Sequence, residues 1–318
     1  MPARDPGGTD VAPGRYDGRV LRAVGGVYEV LLDDVVVEAA LRGRLKRERR
    51  TGDGVVAGDR VTVLIHDDGS ATIEAVGERH SLLARRAPGR NVRRAKVIAA
   101  NIDQVVVVFA AAQPEPRLRM LDRFLVLAEA NDLPAVVVVN KLDLADEAEV
   151  RELFRVYEEA GYPVLTVSVV DGTGLDDLQE RLCGDTVSVL TGPSGTGKSS
   201  LLNALEPGLN LAIGEVSAAV RKGRHTTVTA RLVPLSCGGY VADTPGLREL
   251  GLWDVGPETL RACFPEFLDL AEHCRFSTCT HSHEPDCAVR DAAETGAIPR
   301  DRYESYRAML EAETLEPG

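Results

Sequence analysis

The sequence predicts a multidomain protein: an N-terminal all-β barrel, a central doubly wound α/β domain and a mostly helical C-terminal domain built around a metal site. Three observations predict it. Short alternating apolar stretches broken by Gly and Asp run from about Gly14 to Leu83. From Asn101 onward, continuous apolar strands alternate with segments of helical period. Past Leu247 that alternation gives way to a helical stretch with grouped Cys and His. The expected boundaries are a disordered leader over 1–13, the barrel over 14–99, the α/β domain over 100–250 and the metal-binding domain over 251–318.

Composition sets the outer limits. An apolar content of 44% and a charged content of 27% are those of a water-soluble globular chain. No run approaches the roughly 18 apolar residues of a membrane helix. The Pro- and Gly-rich start has no apolar core and does not read as a signal peptide. A cytoplasmic monomer without a membrane partner is expected. The net charge of −12 divides into +4 over residues 1–99 and −16 beyond them. Arg42, Arg44, Lys46, Arg47, Arg49 and Arg50 form one basic cluster, and Arg85, Arg86, Arg90, Arg93, Arg94 and Lys96 another. One cluster alone reads as a solvated loop. Two in the basic region of an acidic protein point to a polyanion.

Within the barrel, GRVLRAVGGVYEVLL, VVVEAALRGRL and GDRVTVLIHDDGSATIEAV each read as strand or hairpin, and Asp68-Gly69 supplies a tight turn. Four or five short strands in about 70 residues suit an OB-fold, which often binds oligonucleotides; an SH3-like barrel would carry the same pattern.

The α/β domain opens on Gln104–Phe109, apolar throughout as a parallel strand covered on both faces must be. Leu118, Leu121, Leu125 and Ala128 then recur at helical spacing. The next buried strand, Ala135–Val139, ends at Asn140. A helix over about 146–160, a strand at Val164–Val169, a helix near 174–183 and a strand at Val187–Leu190 follow, with a further helix from about Lys198.

Three motifs carry chemistry. Gly192-Pro193-Ser194-Gly195-Thr196-Gly197-Lys198-Ser199, followed by Ser200, is a phosphate-binding loop between strand and helix. Its glycines let backbone N–H groups face phosphates, Lys198 neutralises the β- and γ-phosphates, and the Ser199 hydroxyl ligates Mg²⁺. Asp243-Thr244-Pro245-Gly246 follows about 45 residues later, at the end of a strand. Asp243 there holds Mg²⁺ through water and Gly246 offers its N–H to the γ-phosphate. Asn140-Lys141-Leu142-Asp143 selects the base. The Asp143 carboxylate accepts from the N1–H and exocyclic amine of guanine, Asn140 pairs with the base edge, and the Lys141 stem packs on the ring. Ser168-Val169, closing the next strand, supplies backbone contact to the guanine oxygen.

The order of these pieces is unusual. In ordinary GTPases the Asn-Lys-x-Asp element comes after the other two; here it comes first, and no second copy follows Leu247. The chain therefore reads as a circularly permuted GTPase. Lys222-Gly223-Arg224-His225-Thr226-Thr227 stands where the first switch belongs. One of Thr226 and Thr227 completes the Mg²⁺ shell, and sequence does not choose between them. Leu247 stands where many GTPases place a water-orienting Gln, so intrinsic hydrolysis should be slow and another group must stand in. His225 is the local candidate, as against a solvated loop histidine. With Lys198 and the two threonines it completes the candidate catalytic set. The Cys/His segment begins about 25 residues after Leu247, so a γ-phosphate-dependent shift at Asp243–Gly246 is positioned to move it.

Cys274, Cys279, His281 and Cys287 offer three thiolates and an imidazole, a donor set suited to tetrahedral structural zinc with no open position. His273 and His283 compete for the nitrogen place.

On these residues the chain resembles the bacterial family of ribosome small-subunit-dependent GTPase A. The resemblance spans about residues 14–312. It is carried by Gly58-Asp59-Arg60-Val61, the motifs above, Phe264-Pro265-Glu266-Phe267, and the Cys/His set ending in Glu284-Pro285-Asp286-Cys287. It implies an OB-fold before a permuted GTPase domain and a zinc domain after it. It also implies GTP or GDP with Mg²⁺, contact with ribosomal RNA, and GTP hydrolysis stimulated by the small ribosomal subunit during late maturation of that subunit. Two positions depart from the family: Val169 replaces a small residue, and Asp286 stands where glycine is common. Two rival functions are an ATPase or kinase acting on a small molecule, against which NKLD argues, and an RNA-binding scaffold stabilised by nucleotide. Lys198, Ser199 and Asp243 together argue against the scaffold.

Overall fold

The computed structural model describes residues 11–43, 45, 54–86, 95–209, 230–243 and 255–315, with the backbone alone for 85, 86, 95, 96, 243 and 313–315. The chain forms two compact units, one of residues 1–103, 184–188 and 223–246, the other of residues 104–183, 189–222 and 247–318.

In the first unit, five strands make the barrel: β1 (Gly14–Val24), β2 (Val27–Leu32), β3 (Val35–Leu41), β4 (Arg60–Ile65) and β5 (Ala71–Val76). Strand β1 is long enough to pair with β4 over Gly14–Arg19 and with β2 over Arg19–Val24, and a register shift between Val20 and Arg22 bends it between the two. Strands β3 and β5 pair in parallel and close the barrel. The order β1-β2-β3-β5-β4-β1 is OB-like, which settles the choice the strand pattern left open. Alternation along β4 and β5 drives every second side chain inward, so Val61, Val63, Ile65, Ala71 and Ile73 meet Val20, Val30, Leu32, Val37 and Ala39 in one core. Asp68 receives hydrogen bonds from the amide and hydroxyl of Ser70 in the turn between β4 and β5, as the Asp-Gly pair predicts.

Asp59 of the GDRV stretch has a fully buried carboxylate, held by Arg79 through Nε and Nη2 at 2.6 and 2.8 Å and by the Val56 amide at 2.9 Å. A hairpin of β6 (Leu82–Arg86) and β7 (Ala95–Ala100) follows the barrel. The sequence reading assigned no strand there, because the basic residues of the second cluster sit at the strand ends. Later in the chain β12 (Arg231–Pro234) and β13 (Tyr240–Asp243) form an antiparallel pair, and β12 meets β1 at Arg22 and Arg231.

The second unit contains the parallel strands β8 (Gln104–Ala110), β9 (Ala135–Asn140) and β10 (Val164–Thr166), paired in that order, and from Val189 onward β11 (Val187–Thr191), which neighbours β8 in the strand order. Every residue of β8 and β9 is buried, as the apolar runs require. Helices α1 (Leu118–Glu129), α2 (Glu147–Glu159), α3 (Leu175–Leu182) and α4 (Lys198–Leu205) follow the strands in alternation. Asp146 caps α2 by accepting from the amides of Ala148 and Glu149.

Among the described residues, four C-terminal helices follow in this unit: α5 (Pro257–Ala262), α6 (Pro265–Ala271), α7 (Ala288–Thr295) and α8 (Arg300–Leu315). Their core of Leu260, Phe264, Phe267, Tyr306 and neighbours includes Val126 of α1, so they pack onto the α/β layer. Among the described residues, no helix is long and apolar enough to cross a membrane.

Arg302 ties the C-terminal helices to that layer. Its side chain is 2% exposed, bonds Asp122 of α1 at 2.6 Å and Glu266 of α6 at 2.7 Å, and lies over the Phe264 ring. Asp122 also accepts from the Tyr157 hydroxyl of α2 at 3.0 Å. Removing the cation leaves two desolvated carboxylates without compensation. Arg302→Leu should therefore cost about 3–5 kcal/mol in urea unfolding, whereas a loss under about 1 kcal/mol would mean the network is not desolvated.

Candidate functional site

The site is built where strands β9 and β11 end side by side with β8. Asn140 is the last residue of β9, 2% exposed, and its Nδ2 donates to the Thr196 carbonyl of the glycine loop at 2.9 Å. Two motifs 56 residues apart in sequence thus share a buried hydrogen bond. The contact requires glycine beside it. Gly197 has φ +89°, and a Cβ there would lie 2.4 Å from Asn140 Nδ2. Gly192 is equally constrained, since a Cβ would meet the Val108 carbonyl of β8 at 2.1 Å.

The loop closes on itself through the lysine. Lys198, 5% exposed at the start of α4, donates from Nζ to the carbonyls of Gly192 at 2.9 Å and Pro193 at 2.5 Å. Thr196 Oγ1 donates to Pro193 O at 3.1 Å. Ser194 and Gly195 are exposed, Ser199 is buried and Ser200 half-buried. An ammonium in the bowl of the loop, with backbone curled around it, is the arrangement that attracts phosphate oxygens.

In the Asn140–Asp143 turn, Lys141 takes a left-handed backbone, φ +62°, and its Nζ donates to the carbonyl of Gln113. That turn brings Asp143 to the surface. Ser168, fully buried, donates from Oγ to Asp143 Oδ1 at 2.7 Å and fixes the carboxylate's orientation. The strand read as reaching Val169 ends at Thr166; beyond it the chain turns, the Ser168 amide donating to Thr173 O and the Gly172 amide to Ser168 O. Ser168 and Val169 therefore lie in a turn beside Asp143, with Val169 half-buried and Val170 80% exposed. Gln113 is a contributor the sequence did not reveal, since it acts through its carbonyl and no side-chain pattern marks it. Among the described residues, three buried side-chain atoms have no hydrogen-bond partner: Asn140 Oδ1 at the end of β9, Thr191 Oγ1 just before the glycine loop, and Ser305 Oγ of helix α8. The first two leave polar capacity unmet beside the glycine loop.

Asp243 closes β13, of which the backbone is described at that residue. His225, Thr226, Thr227 and Gly246 lie outside the described residues, as do Leu247, Arg44, Lys46, Arg47, Arg49 and Arg50 of the first basic cluster, and Arg90, Arg93 and Arg94 of the second.

The Cys/His set converges. The Sγ atoms of Cys274, Cys279 and Cys287 and one ring nitrogen of His281 all lie within 4.8 Å of one another. Cys274 Sγ and Cys287 Sγ are 3.9 Å apart, and each lies 3.6 or 3.5 Å from His281 Nδ1. Four ligands at radii of about 2.0–2.3 Å around one tetrahedral ion give separations of this size. His273 and His283 instead bond Asp269 O and Ser282 Oγ, which leaves His281 as the nitrogen donor of the cluster.

Burial pushes the Cys279 thiol up to about 12 and holds the His281 imidazole below its ordinary value. Binding a cation would displace the Cys279 proton, and the lowered basicity of His281 favours the neutral imidazole that ligates. Burial also raises the carboxyl of nearby Glu284, but hydrogen bonds from Thr280 and adjacent backbone outweigh it and hold the group well below the carboxylate range. Asp286 has φ +54°, the left-handed conformation that glycine favours.

A family model of the RsgA GTPase matches residues 76–253, and one of the RsgA N-terminal domain matches residues 17–73. The small ribosomal subunit biogenesis GTPase RsgA of Gemmatimonas aurantiaca is 49% identical over 292 residues, covering 91% of this chain and 94% of the relative. Its counterpart in Thermotoga petrophila is 44% identical over 273 residues, covering 85% and 86%. Among solved structures, YjeQ from Thermotoga maritima superposes with a TM-score of 0.78 at 38% identity, covering 94% of this chain and 99% of that one. YloQ, a circularly permuted GTPase, gives 0.74 at 31% identity, covering 96% and 97%.

The close approach of Gly197 to Asn140 makes a direct prediction. Gly197→Ala combines a left-handed backbone with a clash against a buried amide and should cost about 1–3 kcal/mol in chemical unfolding. An unchanged midpoint would show that the two motifs do not touch.

Proposed function

The chain belongs to the RsgA GTPase family, and on that premise we propose that it is a GTP-driven timer acting on the small ribosomal subunit late in its maturation. It is a circularly permuted GTPase with an OB-like N-terminal barrel. The observation that carries the reading is the Asn140–Thr196 hydrogen bond. It joins the Asn140–Asp143 turn to the glycine loop, which supports the reading that a single guanine nucleotide is held at both ends.

In this reading Asp143, oriented by Ser168, accepts from guanine N1–H and the exocyclic amine. Asn140 pairs with the base edge, the Lys141 stem covers the ring, and the backbone of Ser168 and Val169 meets the guanine oxygen. An adenine would leave the carboxylate unsatisfied, which is a strong basis for discrimination. The amides of Gly192–Gly197, with Ser194, Thr196 and Ser200 around them, surround the phosphates. Lys198 exchanges its loop carbonyls for β- and γ-phosphate oxygens. Ser199, Asp243 and one of Thr226 and Thr227 hold Mg²⁺, which when bound neutralises charge developing on the phosphates. Gly246 reports the γ-phosphate.

Leu247 offers no hydrogen bond to water, so His225 orients the attacking water. The cluster of Cys274, Cys279, His281 and Cys287 takes one structural zinc ion, all four positions being filled by protein. Ribosomal RNA is the polyanion for the two basic clusters. The chain works as a monomer in the cytoplasm.

Turnover measured with and without small ribosomal subunits tests this. Slow basal hydrolysis that subunits accelerate at least tenfold, with His225→Ala losing most of the acceleration, is expected. Association should weaken steeply with salt. Rapid hydrolysis indifferent to subunits would overturn the proposal.

A further inference from the structure

The Cys/His loop is organised by a carboxylate that is not among its four ligand atoms. Glu284 lies between His281 and Cys287, and its side chain accepts four hydrogen bonds from the same short segment. Oε1 receives the Thr280 amide and hydroxyl, each at 2.7 Å, and Oε2 receives the amides of Ser282 and His283, each at 3.2 Å. The carbonyls of that segment are tied from the other side. The Tyr306 hydroxyl donates to Thr280 O at 2.6 Å, the Tyr303 hydroxyl to His281 O at 2.8 Å, and Arg290 Nη1 to Glu284 O at 2.9 Å.

Between these anchors stands His281, with φ +55°. A histidine in the left-handed region persists where its surroundings over-determine the backbone. Here they do: the amides on both sides of the ligand converge on one carboxylate, and the ligand's own carbonyl is held by a helix α8 tyrosine. The imidazole therefore points at the three sulfurs because the turn carrying it is fixed by groups that need no metal.

We propose that Glu284 is a positioning residue for the metal: it prebuilds the turn that presents His281 and so sets the affinity of the Cys274–Cys279–His281–Cys287 site. The inference rests on the reading of that cluster as a zinc site. An outer partner that orients a ligand in this way is worth about 10- to 100-fold in metal affinity. A carboxylate that merely stabilised the fold would shift the unfolding midpoint and leave the affinity alone. The amide of Glu284→Gln keeps one acceptor for Thr280 but turns an N–H toward the amides of Ser282 and His283. It should lose part of the affinity, and Glu284→Ala the whole 10- to 100-fold.

The test is titration of the full chain with Co²⁺, followed by its thiolate charge-transfer and ligand-field bands in competition with a chelator. The parent chain is expected to give the tetrahedral spectrum of three thiolates and one imidazole. The two variants should give the same band pattern at saturation, Glu284→Ala 10- to 100-fold more weakly and Glu284→Gln in between. Either variant binding within about twofold of the parent would overturn the proposal. An altered spectrum at saturation would also overturn it, because the side chain would then be a ligand itself. Should Glu284→Ala fail to fold, Glu284→Gln decides alone. A parent chain without thiolate bands would instead sink the zinc reading, an outcome distinct from equal affinities.

Discussion

One hydrogen bond, from the side chain of Asn140 to the carbonyl of Thr196, holds the candidate site together. It is buried, where an unmet amide or carbonyl is expensive, and it crosses from the end of β9 to the loop after β11. Gly197 must lack a side chain for the bond to form, and Gly192 must lack one for the loop to lie on β8. The sheet therefore does more than support two separate motifs. It sets them at a fixed separation, as recognition of a ligand with a planar base at one end and phosphates at the other demands.

The permuted order becomes understandable in this light. Which motif comes first in the chain is immaterial to a parallel sheet, provided strands β9 and β11 flank β8. What permutation changes is the attachment of the neighbouring domains. The C-terminal helices pack on α1, the helix between β8 and β9, through Val126 and through Arg302 bound to Asp122 and Glu266. The same helices supply Tyr303 and Tyr306, which hold the loop around His281. A continuous chain of buried contacts thus links α1 to the Cys/His cluster, supplementing the covalent connection through Asp243–Gly246 read from the sequence.

Much of this was legible in the residues. The apolar runs of β8 and β9 could only be doubly covered strands, and the strand–glycine loop–helix pattern located α4 at Lys198. The grouping of Cys274, Cys279, His281 and Cys287 also came through, and geometry chose His281 over His273 and His283. Other features left no local mark. The β6–β7 hairpin was hidden because Arg85, Arg86 and Lys96 give its ends the look of a solvated loop. The strand at Val164 stops at Thr166 because Ser168 is needed in a turn to hold Asp143, a tertiary demand that period-two alternation does not register. Arg302 and Asp122 are 180 residues apart, and nothing in either neighbourhood announces the other. Gln113 serves through its backbone, which composition never reports.

The central claim is that the base turn and the glycine loop grip one ligand. Calorimetric titration of the chain and of Asp143→Asn with guanosine and xanthosine diphosphates tests it most directly. The amide offers a donor where guanine needs an acceptor, and xanthine presents the matching carbonyl. The account predicts that the variant loses at least tenfold in guanosine diphosphate affinity and gains for the xanthosine form, with the phosphate contacts untouched. Guanosine diphosphate binding that is the same in both proteins would contradict it.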